Sequence, residues 1–401
     1  MIKKIVQYHL IPLAIAFGIL SVVYVLLPNG NTSIKTIQLN NETGVKNGLF
    51  PDFSAGVSTE LALMSSLKSP NQITLFCSSE FSGNSKYFPY LFLTDSLNIN
   101  CLAFGKAYHQ QLSILCELMA GREFLKGSKI TILISPGWFE SDGTNPEAFL
   151  EFVTPNFLRK IIHDSLIGWE YKNHIGKFID ENSHLFNGLS KEQLFLKDLY
   201  LMNDGNFFNK TLAQLYQFIR KKHSNRFYIK NVAYEANLAE NLPLKKWRFN
   251  TDSILKAEQL KFLASVQNDL YVNQEYYETY LIESDGKQRK GKVAEKDYLS
   301  SNELKDFEML LQFLKENDAD ASFVLLPINP YFYENLSIQK PLIDHLSSEI
   351  TKANFPFLNL YSFEKEDYKK GILRDVMHVG EYGWIIINEF MAKTYFENYE
   401  F

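Results

Sequence analysis

Short, nearly continuous apolar runs constrain the fold of this chain of 401 residues more than any other feature. Runs of this kind are typical of strands buried on both faces, as in a parallel sheet, because a half-exposed strand would alternate instead. Five such runs lie at residues 73–77, 98–103, 129–134, 321–326 and 357–360. The sequence therefore predicts a mostly parallel sheet built on these five strands.

Helical patterns separate the apolar runs. Apolar residues at 3.6-residue spacing predict a helix within residues 108–120 that packs back on the sheet. Ser300 and Glu303 form the signature of a capping box at the start of another helix, and further helices are expected near 342–353 and from Glu381. This alternation of strands and helices predicts an α/β domain of three layers.

The middle of the chain, from about 146 to 276, is polar and helical in its pattern, without comparable apolar runs. We interpret it as a helical insertion into the α/β domain, which we place at residues 71–401. Residues 29–70 are rich in Asn, Gly, Ser and Thr, and we interpret them as a stalk and docking segment.

An uncharged stretch at the start of the chain predicts a membrane anchor. Residues 5–27 contain no Asp, Glu, Lys or Arg, and at about 1.5 Å per residue they can span a hydrocarbon core of roughly 30 Å. Lys3 and Lys4 precede the stretch and no Lys or Arg follows before Lys35. The positive-inside rule then keeps the N-terminus in the cytoplasm and places the rest outside. A cleaved signal peptide is the alternative, but the stretch is long for one and no small-x-small site follows it directly. We therefore predict a single-pass anchor at residues 1–28.

Composition excludes several classes of function. The net charge is −5, which gives no electrostatic reason to expect a nucleic-acid partner. Cys77, Cys101 and Cys116 form neither an even set nor a CxxC pair, so a disulfide framework or a zinc site is not expected. Without an HExxH, P-loop or GxGxxG motif, nothing indicates a metal or nucleotide, and we predict no cofactor.

A serine pair follows the first apolar run directly, in the sequence LFCSSEF at residues 75–81. Active sites of open parallel sheets lie at the carboxyl ends of strands. A serine on a sharp turn from strand to helix exposes its hydroxyl beside backbone N–H groups suited to an oxyanion. Taken alone, a serine in this position is more often a helix cap. Ser79 is nevertheless the candidate nucleophile.

Asp375 and His378 lie three residues apart in the sequence DVMHVGEYGW, in the loop that leads into the last predicted helix. A serine hydroxyl needs a base to take its proton, and the base needs a carboxylate to hold its tautomer. An Asp-x-x-His segment can present both groups. With the serine at the other end of the domain, it predicts a Ser-His-Asp triad of Ser79, His378 and Asp375.

Three further strand ends supply candidate pocket residues. Gly105 follows the second run and could let its backbone N–H approach an oxyanion, because no Cβ blocks the way. Ser135 and Trp138 follow the third run in SPGWF, and Asn329 follows the fourth in LLPINP, where its amide could donate. Each is equally readable as an ordinary turn residue.

Together the anchor and these motifs, with the helix SSNELKDFEMLLQFL at residues 300–314, resemble the DltD family. That family is named for D-alanyl-lipoteichoic acid biosynthesis and is similar to the SGNH hydrolases. The resemblance runs from the anchor to the C-terminal helix and is weakest in the middle. The family has Gly at the position of Cys77 and usually Gln at that of Gly137.

The resemblance implies an SGNH-hydrolase-like domain outside the cytoplasm that works with a membrane acyltransferase of the MBOAT type. Such a protein takes D-alanine from a carrier-linked or lipid-linked acyl donor and passes it to teichoic acid. Matched motif by motif, the nucleophile falls on Ser79, and the acid and base on Asp375 and His378. Gly105 and the backbone of Ser79 would supply oxyanion donors.

Two alternatives remain at the level of sequence. One is an O-acetyl transferase or esterase for an exported polysaccharide, which would use the same triad on another acyl group. The other is a non-catalytic scaffold that holds an acyl carrier or an MBOAT acyltransferase at the membrane and keeps the triad as a remnant.

Overall fold

A computed structural model of the protein describes residues 57–69, 71–140, 143–202, 244–245 and 249–396, and the backbone of strands Lys35–Leu39, Gly48–Phe50 and Val232–Ala236. The chain divides into two compact units. The smaller, Met1–Ile37 with Met202–Ala233, lies almost wholly outside the described residues. The larger, Gln38–Leu201 with Tyr234–Phe401, contains the central sheet.

The membrane anchor predicted at residues 1–28 lies outside the described residues. In the part of the chain that the structure describes, no helix combines the length and the apolar character needed to cross a bilayer.

Six strands form the central sheet, and each of its neighbouring pairs is parallel. The strands are β1 (Gly48–Phe50), β2 (Gln72–Cys77), β3 (Asn100–Gly105), β4 (Lys129–Ile134), β5 (Asp320–Leu325) and β6 (Phe357–Asn359). Their order across the sheet is β6-β5-β4-β2-β3-β1. The predicted α/β class with a mostly parallel sheet is confirmed.

Helices connect and cover these strands. They are α1 (Val57–Lys68), α2 (Pro89–Leu97), α3 (Gln111–Ala120), α4 (Pro146–Phe152), α5 (Pro155–His163), α6 (Trp169–Asn182), α7 (Lys191–Met202), α8 (Thr251–Ser265), α9 (Asn302–Glu316), α10 (Lys340–Lys352) and α11 (Glu381–Tyr395). One helical turn, Gln274–Tyr276, continues into a π-helical turn, Tyr277–Leu281. Short 3-10 turns lie at Arg122–Phe124, Pro136–Glu140, Ser183–Leu185, Tyr298–Ser300 and Leu336–Gln339. Two small two-stranded sheets pair Gly291–Lys292 with Tyr333–Glu334 and Lys35–Leu39 with Val232–Ala236.

Both faces of the sheet are buried. Successive side chains of a strand point to opposite faces, and other elements pack on each face. On one face Leu75 of β2 joins an apolar cluster that contains Trp384 of α11. On the other face the Thr74 hydroxyl lies 2.6 Å from the hydroxyl of Ser66 in α1. Burying one large apolar side chain stabilises the fold by roughly 1.5–3 kcal/mol. Because both faces are covered, apolar residues are favoured at every strand position, which explains the continuous apolar runs in the sequence.

The N-cap of helix α9 lies one residue later than predicted. Ser301, not Ser300, is the N-cap, and its Oγ accepts a hydrogen bond from the Leu304 N–H at 3.2 Å. Glu303 does not reach back to the helix start, because it is buried and its carboxylate accepts from the Gln111 N–H at 3.1 Å. The predicted capping box of Ser300 and Glu303 is therefore wrong.

Strand β1 and helix α1 both precede residue 71, within the segment interpreted as a stalk and docking region. β1 extends the sheet through its parallel pairing with β3. The described part of 146–276 contains helices α4 to α8 and the short strand Val232–Ala236.

The strand order reverses direction at β2. Chain segments run outward from β2 to β3, then cross back to β4 on the other side of β2. In open α/β sheets the crevice at such a switch point, at the carboxyl ends of the strands, is where ligands bind. Ser79 lies two residues beyond the end of β2 and therefore faces this crevice.

Candidate active site

Ser79 lies on a tight turn that begins where β2 ends at Cys77. The Ser82 N–H donates to the Ser79 carbonyl at 3.0 Å and closes the turn. On the other side the Ser78 hydroxyl donates to the Lys106 carbonyl at 3.3 Å, which joins the turn to the end of the neighbouring strand β3. Ser78 is buried and Ser79 is half-buried, so of the two serines Ser79 has the more accessible hydroxyl.

The second part of the site is the loop before α11. The side chains of His378 and Asp375 face Ser79, although His378 lies 299 positions later in the sequence. Ser79 Oγ and His378 Nε2 are 3.1 Å apart. His378 Nδ1 lies 2.9 Å from Asp375 Oδ2. The other carboxylate oxygen, Asp375 Oδ1, accepts the backbone N–H groups of Met377 at 2.9 Å and His378 at 2.8 Å. The structure thus brings the three predicted triad residues into one chain of hydrogen bonds.

The electrostatics of Asp375 decide the tautomer of His378. Burial alone would raise the pKa of Asp375, but hydrogen bonds and charge from His378, with the N–H groups of the loop, hold it below its usual value. An ionised carboxylate can only accept, so the proton of the imidazole resides on Nδ1. Nε2 is then free to accept the proton of the Ser79 hydroxyl, which is the arrangement that activates a serine.

Close backbone packing holds the loop in place. The Arg374 N–H donates to the His378 carbonyl at 3.0 Å, and the Gly380 N–H donates to the Ile372 carbonyl at 2.8 Å. A Cβ on Gly380 would lie 2.6 Å from the carbonyl oxygen of Gly371, so only glycine fits at this crossing. The loop therefore presents Asp375 and His378 from a rigid base at the start of α11.

Gly105 lies beside the serine turn. It pairs with Cys77 in the register of β2 and β3. A Cβ at Gly105 would lie 2.3 Å from Cys77 Sγ and 2.9 Å from the Ser78 carbonyl oxygen. The missing side chain thus leaves the space that the Cys77 thiol fills, and the glycine keeps β3 close to the nucleophile turn.

Ser135 and Trp138 follow β4, the strand on the other side of β2. The Trp138 N–H donates to the Ser135 carbonyl at 3.1 Å, Ser135 is half-buried and Trp138 is buried. Both residues therefore follow a strand whose carboxyl end neighbours that of β2.

Asn329 is fully buried beneath the triad loop. Its side-chain amide donates to the Leu270 carbonyl at 2.8 Å, and its Oδ1 accepts from the Tyr331 N–H at 2.8 Å. Its backbone N–H donates to the Val376 carbonyl at 3.2 Å, between Asp375 and His378. Asn329 therefore ties its own turn and the segment at Leu270 to the loop that carries Asp375 and His378.

Glu80, the residue after the candidate nucleophile, was not among the predicted site residues. It is buried, and its carboxylate accepts the Ser78 N–H at 2.5 Å, so it clamps the backbone on both sides of Ser79. Burial raises the pKa of the Glu80 carboxyl, although backbone hydrogen bonds and the charges of His378 and His109 act in the opposite direction. A glutamate beside the serine pair is visible in LFCSSEF, but its inward orientation is not.

Arg374 was also missed. Its guanidinium Nη2 donates to the Ser82 hydroxyl at 2.7 Å, and Nε lies 3.5 Å from Asp375 Oδ2. Arg374 thus links the turn that carries Ser79 to the loop that carries Asp375 and His378. The only sequence signal was its position beside Asp375.

Among the residues that the structure describes, no group of three His, Cys, Asp or Glu side chains is arranged to hold a metal ion.

Comparison with known proteins gives a match over most of the chain. The model of the DltD protein family matches residues 56–396. Protein DltD of Bacillus subtilis (strain 168) is 23% identical over 337 residues, which cover 82% of this chain and 83% of that protein. Protein DltD of Staphylococcus aureus (strain NCTC 8325 / PS 47) is 23% identical over 394 residues, 94% of this chain and 93% of that protein.

Proposed function

The chain belongs to the DltD family, and from that premise we propose that it is a membrane-anchored serine acyltransferase with an SGNH-hydrolase-like active site. It transfers D-alanyl or a similar acyl group to a hydroxyl of a teichoic-acid-like polymer of the cell envelope. The observation that carries the proposal is the hydrogen-bonded chain from Ser79 Oγ through His378 to Asp375.

In the first half-reaction the Ser79 oxygen attacks the carbonyl of an acyl ester or thioester while His378 Nε2 takes its proton. The tetrahedral intermediate then expels the alcohol or thiol of the donor, which receives that proton from His378. An acyl ester on Ser79 remains. Asp375 orients the imidazole and stabilises its positive charge throughout.

In the second half-reaction an acceptor hydroxyl gives its proton to His378 and attacks the acyl-Ser79 carbonyl. Collapse of this intermediate releases the acylated acceptor and returns the proton to the Ser79 oxygen. Backbone N–H groups of the Ser79 turn and of Gly105 are the proposed donors to the oxyanion in both steps. Nucleophilic catalysis of this kind requires no cofactor.

The remaining elements of the proposal concern location and partners. Residues 1–28 anchor the protein in the cell membrane by one span, with the N-terminus in the cytoplasm and the catalytic domain outside. The acyl donor is carrier-linked or lipid-linked, and an MBOAT-type membrane acyltransferase is the proposed partner. A polymer acceptor in the envelope requires this location, because the hydroxyl lies outside the cytoplasm.

A serine-directed fluorophosphonate tests the nucleophile. The chain from about residue 30 onward is treated with the reagent and the adduct is located by mass spectrometry. We expect one adduct on Ser79, absent in Ser79→Ala and slowed in His378→Ala by several orders of magnitude, roughly 10⁴ to 10⁶. Ser78→Ala, which keeps the nucleophile, and His345→Ala, which removes an imidazole paired with Glu308 on the surface, should still label.

An unlabelled protein, or an adduct on another serine, would favour the non-catalytic scaffold over the enzyme. If Ser79 is labelled, the acyl group released from model esters distinguishes the remaining alternatives. Preference for D-alanyl over acetyl esters supports the proposed transfer, and preference for acetyl supports an O-acetyl transferase or esterase.

A further inference from the structure

Arg374 places a positive charge at the edge of the proposed active site. Its side chain is 34% exposed, and it stands directly before Asp375 in the triad loop. The guanidinium rests on the turn that follows Ser79, where Nη2 donates to the Ser82 hydroxyl at 2.7 Å. The charge therefore lies between the two segments that carry the reacting groups.

The chain leaves room for this guanidinium. Gly83 has a φ of +92°, and a Cβ there would lie 1.9 Å from Arg374 Nη1. Any other residue at position 83 would both strain the backbone and displace the guanidinium. The turn after the nucleophile is thus shaped around Arg374.

Most hydrogen-bonding capacity of Arg374 is unused. A guanidinium carries five N–H donors in a planar fork. Among the described residues only Nη2 has a hydrogen-bond acceptor, and Nε is buried without one, since Asp375 Oδ2 lies 3.5 Å away. Unfilled donors on a half-exposed guanidinium favour a planar pair of anionic oxygens, because bidentate binding satisfies two donors at once.

Two lysines elsewhere on the surface differ in this respect. In the basic stretch at 287–292, Lys290 lies 2.8 Å from Glu334 and Lys292 lies 2.8 Å from Glu295. Their charges are compensated by exposed carboxylates. Among the residues that the structure describes, Arg374 has only the carboxylate of Asp375 within ion-pair distance. That carboxylate is committed to His378 and the loop backbone.

We propose that Arg374 forms an anion subsite that binds a phosphodiester group of the acceptor and holds the neighbouring hydroxyl at Ser79. The inference rests on the proposed function for the reaction at Ser79, but the subsite can be measured without it. A phosphodiester offers two non-bridging oxygens and one charge to the fork, and it can be linked covalently to the hydroxyl that reacts.

Calorimetry of the Ser79→Ala protein with glycerophosphoglycerol, a soluble phosphodiester with free hydroxyls, tests the subsite. We expect binding that Arg374→Gln weakens about ten-fold or more, as loss of a charge-assisted contact predicts. Arg374→Lys, which keeps the charge but not the fork, should lose less. Diglycerol, the uncharged comparator, should bind weakly to all variants and show no dependence on Arg374.

Two variants serve as matched controls. Lys290→Gln removes a surface cation that is paired elsewhere and should leave the affinity within about two-fold. Ser82→Ala removes the tether but keeps every guanidinium donor, so its loss should be smaller than that of Arg374→Gln. Thermal unfolding of each variant shows whether the fold is retained.

Equal affinity in the parent and Arg374→Gln proteins, or no binding of the diester, would overturn the subsite. Arg374-dependent binding of phosphopantetheine but not of glycerophosphoglycerol would assign the anion to the donor and overturn the acceptor assignment. If Ser79 fails to react with fluorophosphonate but the diester still requires Arg374, the proposed function fails and the subsite stands. If Ser79 reacts with fluorophosphonate but binding of the diester does not depend on Arg374, the subsite fails and the proposed function stands.

Discussion

The pKa values of two carboxyl groups in the candidate site are shifted in opposite directions. One belongs to Glu80, the residue after Ser79, and the other to Asp375. Burial raises the pKa of Glu80, whose carboxylate accepts backbone N–H groups in the serine turn. The pKa of Asp375 is lowered despite its burial, because His378 and two loop N–H groups favour its charged form. Environments that separate the pKa values of neighbouring carboxyl groups are characteristic of catalytic sites.

These opposite shifts predict opposite effects on the pH dependence of stability. A folded-state pKa above the unfolded value means that the folded protein binds the extra proton, so Glu80 lowers the stability as the pH rises from about 4.5 through its folded pKa. Glu80→Gln removes this loss. The free energy of unfolding of Glu80→Gln, relative to the parent, should therefore rise between pH 4.5 and pH 7.5 in urea titrations.

Asp375→Asn is the matched control for that measurement. Because the folded-state pKa of Asp375 lies below 3.8, its stabilisation is fully present above pH 3.8 and is lost only as the pH falls through the folded value. Its stability deficit should be nearly constant from pH 4.5 to 7.5. If the difference in unfolding free energy between Glu80→Gln and the parent does not change with pH, the Glu80 carboxyl of the parent titrates as an exposed one does.

At the scale of elements, the site depends on ties between segments that are far apart in sequence. Asn329, at the carboxyl end of β5, connects Leu270, Tyr331 and Val376 by three hydrogen bonds. An oxyanion donor would have to turn its amide toward the substrate, but this amide is fully buried and donates to a backbone carbonyl.

We therefore expect Asn329→Ala to act on stability more than on chemistry alone. It leaves the buried Leu270 carbonyl and Tyr331 N–H without partners, at about 1–3 kcal/mol each. The free energy of unfolding should fall by roughly 2–6 kcal/mol, with slower labelling of Ser79 as the triad loop loosens. An unchanged unfolding free energy combined with slow labelling would instead support the oxyanion role.

Sequence patterns predicted the strands of the sheet well but missed strand β1 and helix α1. β4 coincides with its predicted run, and β2, β3, β5 and β6 differ from theirs by one or two residues at their ends. Helix α1 escaped prediction because it lies in a segment rich in Asn, Gly, Ser and Thr, and because its own Ser65 and Ser66 are buried instead of exposed. The short strand β1 has only three residues and no periodicity to detect.

The site shows the same division between local and distant information. Asp375 and His378 could be proposed from the sequence because they lie three residues apart in one loop and because a serine pair follows the first predicted strand. The role of Arg374 depends on Ser82, 292 positions away, and that of Glu80 on the direction in which its side chain turns. Local sequence does not contain either fact.

At the scale of the whole molecule, the sheet joins the two ends of the larger unit. The indole of Trp384 in α11 stacks on Phe81 in the serine turn, with 5.1 Å between ring centroids. The β1 and α1 elements, which precede residue 71, complete one edge and one face of the same sheet. We therefore expect the geometry around Ser79 to depend on chain from well before that residue.

The position at which the chain is shortened tests this dependence. Helix α1 buries Leu63, Met64 and Leu67, each at most 2% exposed. At roughly 1.5–3 kcal/mol per side chain, these three contribute about 5–9 kcal/mol, comparable with the net stability of 5–15 kcal/mol typical of a whole domain. A chain that starts at residue 71 should therefore aggregate or lose cooperative unfolding and label poorly at Ser79. A chain that starts at residue 30 should remain folded and label.

Leu63→Ala in the longer chain separates lost core packing from lost length. It should lower the free energy of unfolding by about 2–5 kcal/mol while leaving a folded protein that labels at Ser79. Size-exclusion chromatography, thermal unfolding and fluorophosphonate labelling are measured on all three chains. If the chain starting at 71 proves as stable and as reactive as the longer one, β1 and α1 are accessory to the sheet. Such a result would mean that the sheet face covered by α1 is stable without this helix. The predicted boundary at residue 71 would then be the start of the catalytic unit.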